Sequence, residues 1–285
     1  MAIYKKKVNR SVGGNMVLLL VLMLLGAFMI IPFLYAILQS LKPTEEIFAF
    51  PPRFWVNHPT LDNYFMLTQA LEDTWVPLGR YVLNSLIVTT VATAGQILVA
   101  AMGAFPLAKM QFKGKNVINK IITYALLFTA PVTAFPQYII MAKVGLVNTY
   151  FAMILPPMAA PLGIFLLKNF MVQLPNGVLE AARIDGASNF QVMRKIALPN
   201  VLPALWTLVI FTTQSVWNGG STNKFIYSES LKTLPVMLNQ IVSSGLSRAG
   251  VGAAVTVLVM LVPLTIFIFS QSKIIETMSF SGIKE

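Results

Sequence analysis

Six stretches of this chain contain no Asp, Glu, Lys, Arg or His and stay apolar almost throughout: residues 16–38, 81–108, 121–142, 150–167, 201–217 and 250–270. A helix crosses the hydrocarbon core of a bilayer with about 20 apolar residues. Inside that core every backbone polar group needs a partner from its own segment, which leaves helices as the solution for runs of this kind. The expected fold is therefore all-α, a polytopic membrane protein with six transmembrane helices. Composition agrees, because only 11% of the 285 residues are charged, against about 25% in a soluble domain. Pro131 and Pro136 interrupt the third stretch, and Pro156, Pro157, Pro161 and Gly163 crowd the fourth. Both are expected to be kinked and satisfied by neighbouring helices.

Lys and Arg beside a span resist translocation, so their distribution gives the orientation. Fourteen fall on one side: Lys5, Lys6, Lys7, Arg10, Lys109, Lys113, Lys115, Lys120, Lys168, Arg183, Arg194, Lys195, Lys273 and Lys284. Seven fall on the other: Lys42, Arg53, Arg80, Lys143, Lys224, Lys232 and Arg248. Both termini, residues 1–15 and 271–285, are thus expected in the cytoplasm of a multi-pass cell-membrane protein. Residues 39–80 and 218–249 form extracytoplasmic loops, and residues 168–200 form a long cytoplasmic one. The first apolar run exceeds the 7–15 residues of a signal-peptide core and lacks a small-residue cleavage site, so it reads as a retained anchor.

Several chemistries are absent from the sequence. There is no cysteine, and His58 is the single histidine, which excludes disulfides, thiolate metal sites and a multi-histidine centre. His58 reads as a surface residue of a Pro-rich turn. A charge at mid-bilayer costs roughly 2.5–3.5 kcal/mol and is retained for function; none occurs in the six stretches, which disfavours proton relays, voltage sensing and an aspartyl protease dyad. The phosphate-cradling loop G-x-x-x-x-G-K-[ST] is not met either. Its nearest approach, Gly114-Lys115-Asn116, has Lys109 where the first glycine belongs and Asn in place of Ser or Thr. No metal or cofactor is expected in this chain. If ATP drives it, ATP and Mg belong to a partner ATPase.

The cytoplasmic loop has a helical grammar of its own. Pro175 and Asn176 can start a short helix, Val178, Leu179 and Ala182 give it one apolar face, and Gly186 permits a left-handed stop. Ser188 can cap a second short helix reaching Leu198, after which Pro199 and Pro203 redirect the chain into the fifth span. The result would be two helices joined at a glycine corner. Within it, Glu180, Ala181, Ala182, Gly186, Ile196, Leu198 and Pro199 fill the pattern Glu-Ala-Ala, three residues, Gly, nine residues, Ile, one residue, Leu-Pro without a gap.

That pattern resembles the signature loop of the membrane subunits of binding-protein-dependent ABC importers. The resemblance covers most of the chain and narrows to the carbohydrate, maltose-type branch. Leu41-Lys42-Pro43 through Glu46, Pro59-Thr60-Leu61-Asp62-Asn63-Tyr64, Asn84-Ser85-Leu86, Thr233-Leu234-Pro235 and the tail from Ile275 to Lys284 are similar to that branch. Trp217-Asn218-Gly219 departs from the family's common Trp-Asn-Asp, and Thr277 stands where the tail commonly has Gly. The resemblance implies a type I importer permease fold with its core at residues 81–272. It also implies a second homologous permease, two ATPase subunits, an extracytoplasmic solute-binding protein and a sugar substrate, with lipid around it and no nucleic acid. By the same resemblance residues 178–185 act as a rigid lever on the ATPase. Glu180, read as an acid of that helix's first turn, and Asp185 lie in this coupling loop.

Sugars need hydrogen-bonding groups and flat aromatic faces. The proline-broken third and fourth spans, with the fifth, offer Tyr124, Gln137, Gln214, Trp217 and Asn218 for a substrate path. Two other functions fit a chain without intramembrane charge: a sodium-coupled secondary transporter using backbone carbonyls, and a non-catalytic channel component. The first would need an inverted repeat, and the fourth-span prolines do not recur in the first half. The second has no use for the glycine corner and Glu180.

Overall fold

The computed structural model describes residues 12–72, 76–219, 222–243 and 249–281. Lys5, Lys6, Lys7, Arg10, Arg248 and Lys284, which entered the charge distribution, lie outside the described residues. Among the described residues the secondary structure is helical throughout, without a strand. The chain forms two compact units, one within Met1–Gln69 and Ser244–Val257, the other within Ala70–Ser243 and Leu258–Glu285.

The first unit begins with α1, Val12–Ser40. Its side chains are apolar on every face and almost all exposed, with Met16, Phe28 and Met29 each about 70% accessible or more, as a helix surrounded by apolar partners requires. The chain then passes through α2 (Thr44–Ile47) to α3 (Asp62–Glu72). Asn63 ties the turn together: its Nδ2 donates to the carbonyls of Ser40 (2.9 Å) and Lys42 (2.7 Å), capping orphan carbonyls at the end of α1. The Tyr64 hydroxyl reaches Ser40 Oγ at 2.9 Å. Gly250 packs against the same asparagine so closely that a Cβ there would lie 2.1 Å from Asn63 Oδ1. The run Pro59 to Tyr64 is thus a fastening.

In the second unit α4 (Leu78–Lys109) is the central helix. It buries small residues, Ala92, Gly95, Ala100, Ala101 and Ala104 among them, so neighbouring backbones can approach closely. Packed on it are α7 (Tyr150–Met158), α8 (Pro161–Val172) and α12 (Leu202–Trp217). At Gly163 of α8 an added Cβ would sit 3.0 Å from Ala100 Cβ and 3.1 Å from Gln96 Nε2. Gln96 accepts a hydrogen bond from the Thr212 hydroxyl, and the Thr93 and Thr213 hydroxyls lie 3.4 Å apart, so polar contacts between α4 and α12 are satisfied internally.

Near the start of α4, Asn84 Nδ2 donates to the carbonyls of Ser230 and Lys232, each at 2.9 Å, and its Oδ1 accepts from the Tyr150 hydroxyl at 2.6 Å. Ser85 Oγ accepts from the Leu234 amide at 2.7 Å. These bonds seat α13, Leu234–Ser243, whose Met237, Leu238 and Ile241 are buried. The sequence reading of residues 218–249 as an extracytoplasmic loop did not anticipate this helix.

Four helical stretches among the described residues are long and apolar enough to cross a membrane: Gly13–Ser40, Leu78–Lys109, Tyr150–Val172 and Ala249–Gln271. A fifth arises if Asn189–Asn200 and Leu202–Trp217, bent by 81°, are one span. The third predicted span is not one helix but two, α5 (Lys115–Ala125) and α6 (Ala130–Lys143). The break falls where Pro131 would clash with the carbonyl four residues earlier, at Leu127. The fourth divides at Ala159 and Ala160, where Pro161 starts α8. The last helix, α14, continues past residue 270 to Ser281.

Candidate functional site

Pro175, at φ −62° and ψ 131°, precedes α9, Asn176–Ile184. The helix ends in a Schellman arrangement: the Ala187 amide donates to Ala182 O and the Gly186 amide to Arg183 O, both at 3.0 Å. This geometry places Gly186 at φ +85°, a conformation in which glycine alone carries no Cβ penalty. Ser188 then caps the next helix in a reciprocal box. Its Oγ accepts from the Gln191 amide at 3.3 Å while Gln191 Oε1 accepts from the Ser188 amide at 2.8 Å. Here α10, Asn189–Val192, runs into a π-helical turn, Met193–Ala197, and then α11, Leu198–Asn200. The second short helix is therefore continuous to Asn200 but widened and underwound at its centre, and Pro199 lies in its last turn.

One face of this corner is committed to the protein core. Leu179, Val192, Met193 and Ala197 are buried together with Phe105 of α4 and Leu167 and Met171 of α8, and Ala182, Ile196 and Leu198 pack against them. The opposite face is open: Glu180, Ala181, Asp185 and Gly186 are exposed, and Ile184 is 86% accessible. Glu180 is the fifth residue of α9 and so lies beyond the first turn, correcting the expectation from sequence. Because a helix dipole acts within the first and last turns, it gives Glu180 little to do.

A lysine that the sequence offered as an orienting charge and as a mismatch to the phosphate-cradling loop holds the corner in place. Lys109 Nζ, at the end of α4, donates to Val172 O (3.1 Å), Leu174 O (2.6 Å) and Asn176 Oδ1 (2.9 Å). It thereby joins the end of α8 to the start of α9. Its position at the end of an apolar run was the one available signal.

The second candidate region is a cavity of about 900 Å³ bordered by α6, the α7–α8 break and α12. Gln137, Thr133 and Ser215 are its polar side chains, and Phe128, Pro156 and Pro157 contribute to its apolar wall. Of the five residues expected along a substrate path, it includes Gln137. Tyr124, Gln214 and Asn218 are exposed outside its lining. Trp217 is buried, and its Nε1 donates to Val259 O at 2.9 Å, so its ring serves packing. Thr133 and Ser215 were not singled out from sequence. Among the described residues no group of three or more His, Cys, Asp or Glu could hold a metal.

A family model described as the binding-protein-dependent transport system inner membrane component matches residues 9–277. The chain is 31% identical over 282 residues to the protein LplC of Bacillus subtilis (strain 168), covering 91% of this chain and 90% of that one. It is 28% identical over 258 residues to the arabinooligosaccharides transport system permease protein AraQ of Halalkalibacterium halodurans, with 90% and 91% covered. In structure it resembles a bacterial ABC transporter involved in the import of the acidic polysaccharide alginate, with a TM-score of 0.76, 21% identity, and coverage of 94% of this chain and 99% of that one. The secondary-carrier and channel alternatives give way to this membership. This chain belongs to the binding-protein-dependent transport system inner membrane components, as a membrane-embedded permease subunit of an ABC importer.

Proposed function

We propose that this chain forms half of the translocation path of an ATP-driven carbohydrate importer and couples it to a separate ATPase through residues 168–200. In this reading it spans the membrane six times, with α5 and α6 together as the third crossing, and both termini are cytoplasmic. It pairs with a second homologous permease, two ATPase subunits and an extracytoplasmic solute-binding protein. The observation that carries the proposal is the two-faced corner. Its inner face is fixed to α4 and α8 by Leu179, Val192 and Lys109, while Glu180 and Ile184 stand free on the outer face. A rigid element of that kind transmits displacement from a docked partner to the spans behind it.

The cavity beside the α7–α8 break supports a sugar path, since it combines Gln137, Thr133 and Ser215 with an apolar wall. Carbohydrate as the substrate class is carried over from relatives such as the arabinooligosaccharide permease. The test is purification of the tagged full chain from its native membrane, followed by reconstitution with the proteins that accompany it. The proposal requires a Walker-motif ATPase and a second permease in the complex, with ATP-dependent uptake of an oligosaccharide. Purification of the chain without an ATPase, or uptake indifferent to ATP, would refute it.

A further inference from the structure

Where α1 ends, the first unit contains a separate cavity of about 380 Å³, lined in part by Tyr35, Gln39, Lys42, Glu46, Arg53 and Thr256. Lys42 is only 1% exposed, and its Nζ donates to the carbonyl oxygen of Arg53. Among the described residues no carboxylate forms an ion pair with it. Glu46, the acid in the same lining, accepts the amides of Asn57 (3.1 Å) and His58 (2.9 Å). An ammonium has three hydrogens to donate, and burying one without an anion is costly. Arg53 adds an exposed guanidinium to the lining, so the pocket presents two cations and one acid already engaged.

Its surroundings identify the anion's source. Here α1 is an apolar helix of membrane-crossing length with none of its most apolar stretch buried, and Tyr35 and Gln39 lie in its last turns. The segment beyond carries exposed aromatics: Phe48, Phe54, Trp55 and Phe50, the last 95% accessible. Tyr35 and Phe54 have ring centroids 5.7 Å apart, and Phe54 meets Trp55 edge-on at 5.4 Å. Tyr and Trp concentrate where hydrocarbon gives way to headgroups, and Tyr35 and Trp55 are both exposed here. We propose that this pocket binds the headgroup phosphate of an anionic phospholipid, with Lys42 and Arg53 on the phosphate oxygens, Gln39 and the Tyr35 hydroxyl on the headgroup, and Phe50 and Trp55 immersed beside it.

The test uses the full chain, delipidated in detergent, and native mass spectrometry with phosphatidylglycerol or phosphatidylcholine added. The wild type retains phosphatidylglycerol preferentially. Lys42→Met and Arg53→Gln each lower that retention about fivefold, the factor for one cation near an anionic lipid surface. Arg53 is exposed, so Arg53→Gln keeps the test valid if Lys42→Met fails to fold. Unchanged retention in Arg53→Gln, equal retention of the two lipids, or displacement by millimolar inorganic phosphate would each overturn the proposal. A spin label at Phe50→Cys in phosphatidylglycerol nanodiscs adds a second readout: relaxation by dissolved oxygen supports immersion, and relaxation by an aqueous nickel chelate alone contradicts it.

Discussion

Replacing Gly186 separates backbone geometry from packing as the basis of the coupling corner. An ideal Cβ built on Gly186 meets nothing within 4 Å, yet the residue sits at φ +85°. A side chain there is thus opposed by backbone strain alone. That strain is about 1–2 kcal/mol for an ordinary residue in the left-handed region, and about 1–3 kcal/mol across strained positions generally, with Val at the upper end. The two Schellman hydrogen bonds, from Gly186 and Ala187, depend on the same φ. A loss of about 2–3 kcal/mol lowers the population of the formed corner relative to its opened state by about thirtyfold or more. In proteoliposomes holding the complete transporter, binding-protein-stimulated ATPase activity should fall in the order Gly, Asn, Ala, Val at position 186. Asn suffers least because it tolerates the left-handed region. Hydrogen exchange of the Gly186 and Ala187 amides should accelerate in the same order, while membrane insertion stays normal. Wild-type activity in Gly186→Val would refute the reasoning. So would Asn as damaging as Val, because the obstacle would then be side-chain bulk against a partner.

If the exposed Glu180 pairs with a cation of the docked ATPase, Glu180→Lys abolishes uptake and weakens ATPase retention, since losing one member of a partly desolvated charged pair costs about 3–5 kcal/mol; Glu45→Lys, on an exposed residue of α2, serves as the control that should leave both intact. In this cysteine-free chain, Asn57→Cys should react with an impermeant thiol reagent added outside intact cells and Asn189→Cys should not, and the reverse labelling would overturn the proposed orientation. Lys109→Met removes three donated bonds at the α8–α9 junction; it should lower the melting temperature and speed amide exchange over residues 176–179, with Lys109→Arg intermediate, and unchanged exchange would show that the lysine does not hold the corner. Gln137→Ala should raise the KM for oligosaccharide uptake several-fold with little change in ATPase activity, whereas unaltered transport would remove the cavity from the substrate path.

The strongest sequence signals were those with a local physical cause. The corner was legible because Gly186, Ser188 and Pro175 each act within a few residues: a positive φ, a cap and a helix start are decided by the chain's own backbone. The long apolar runs of α1, α4 and α14 were legible for the same reason, since hydropathy needs no partner to be read. The rest depends on contacts distant in sequence. Asn63 and Gly250 read separately as a loop polar residue and a span-end glycine, and their roles appear only when they meet. Glu229 reads as an ordinary acid of an outer loop, yet its carboxylate accepts the Tyr81 hydroxyl at 3.0 Å and pairs with Lys232 at 2.5 Å. Trp217 offered a flat ring for a sugar and was instead used against α14. The prolines of the third span indicated a kink; the structure has a full break there, between α5 and α6, just ahead of Pro131.

The most direct test of the central claim asks what the open face of α9 touches. A photo-crosslinking amino acid at Ile184, which is 86% accessible, should join this chain to an ATPase subunit when the native complex is irradiated in its membrane, and the yield should change between nucleotide-free and ATP-bound states. The same reagent at Tyr227, 75% accessible and assigned to the opposite side of the membrane, should give no ATPase adduct. Adducts to the ATPase from Tyr227 and none from Ile184 would contradict the account.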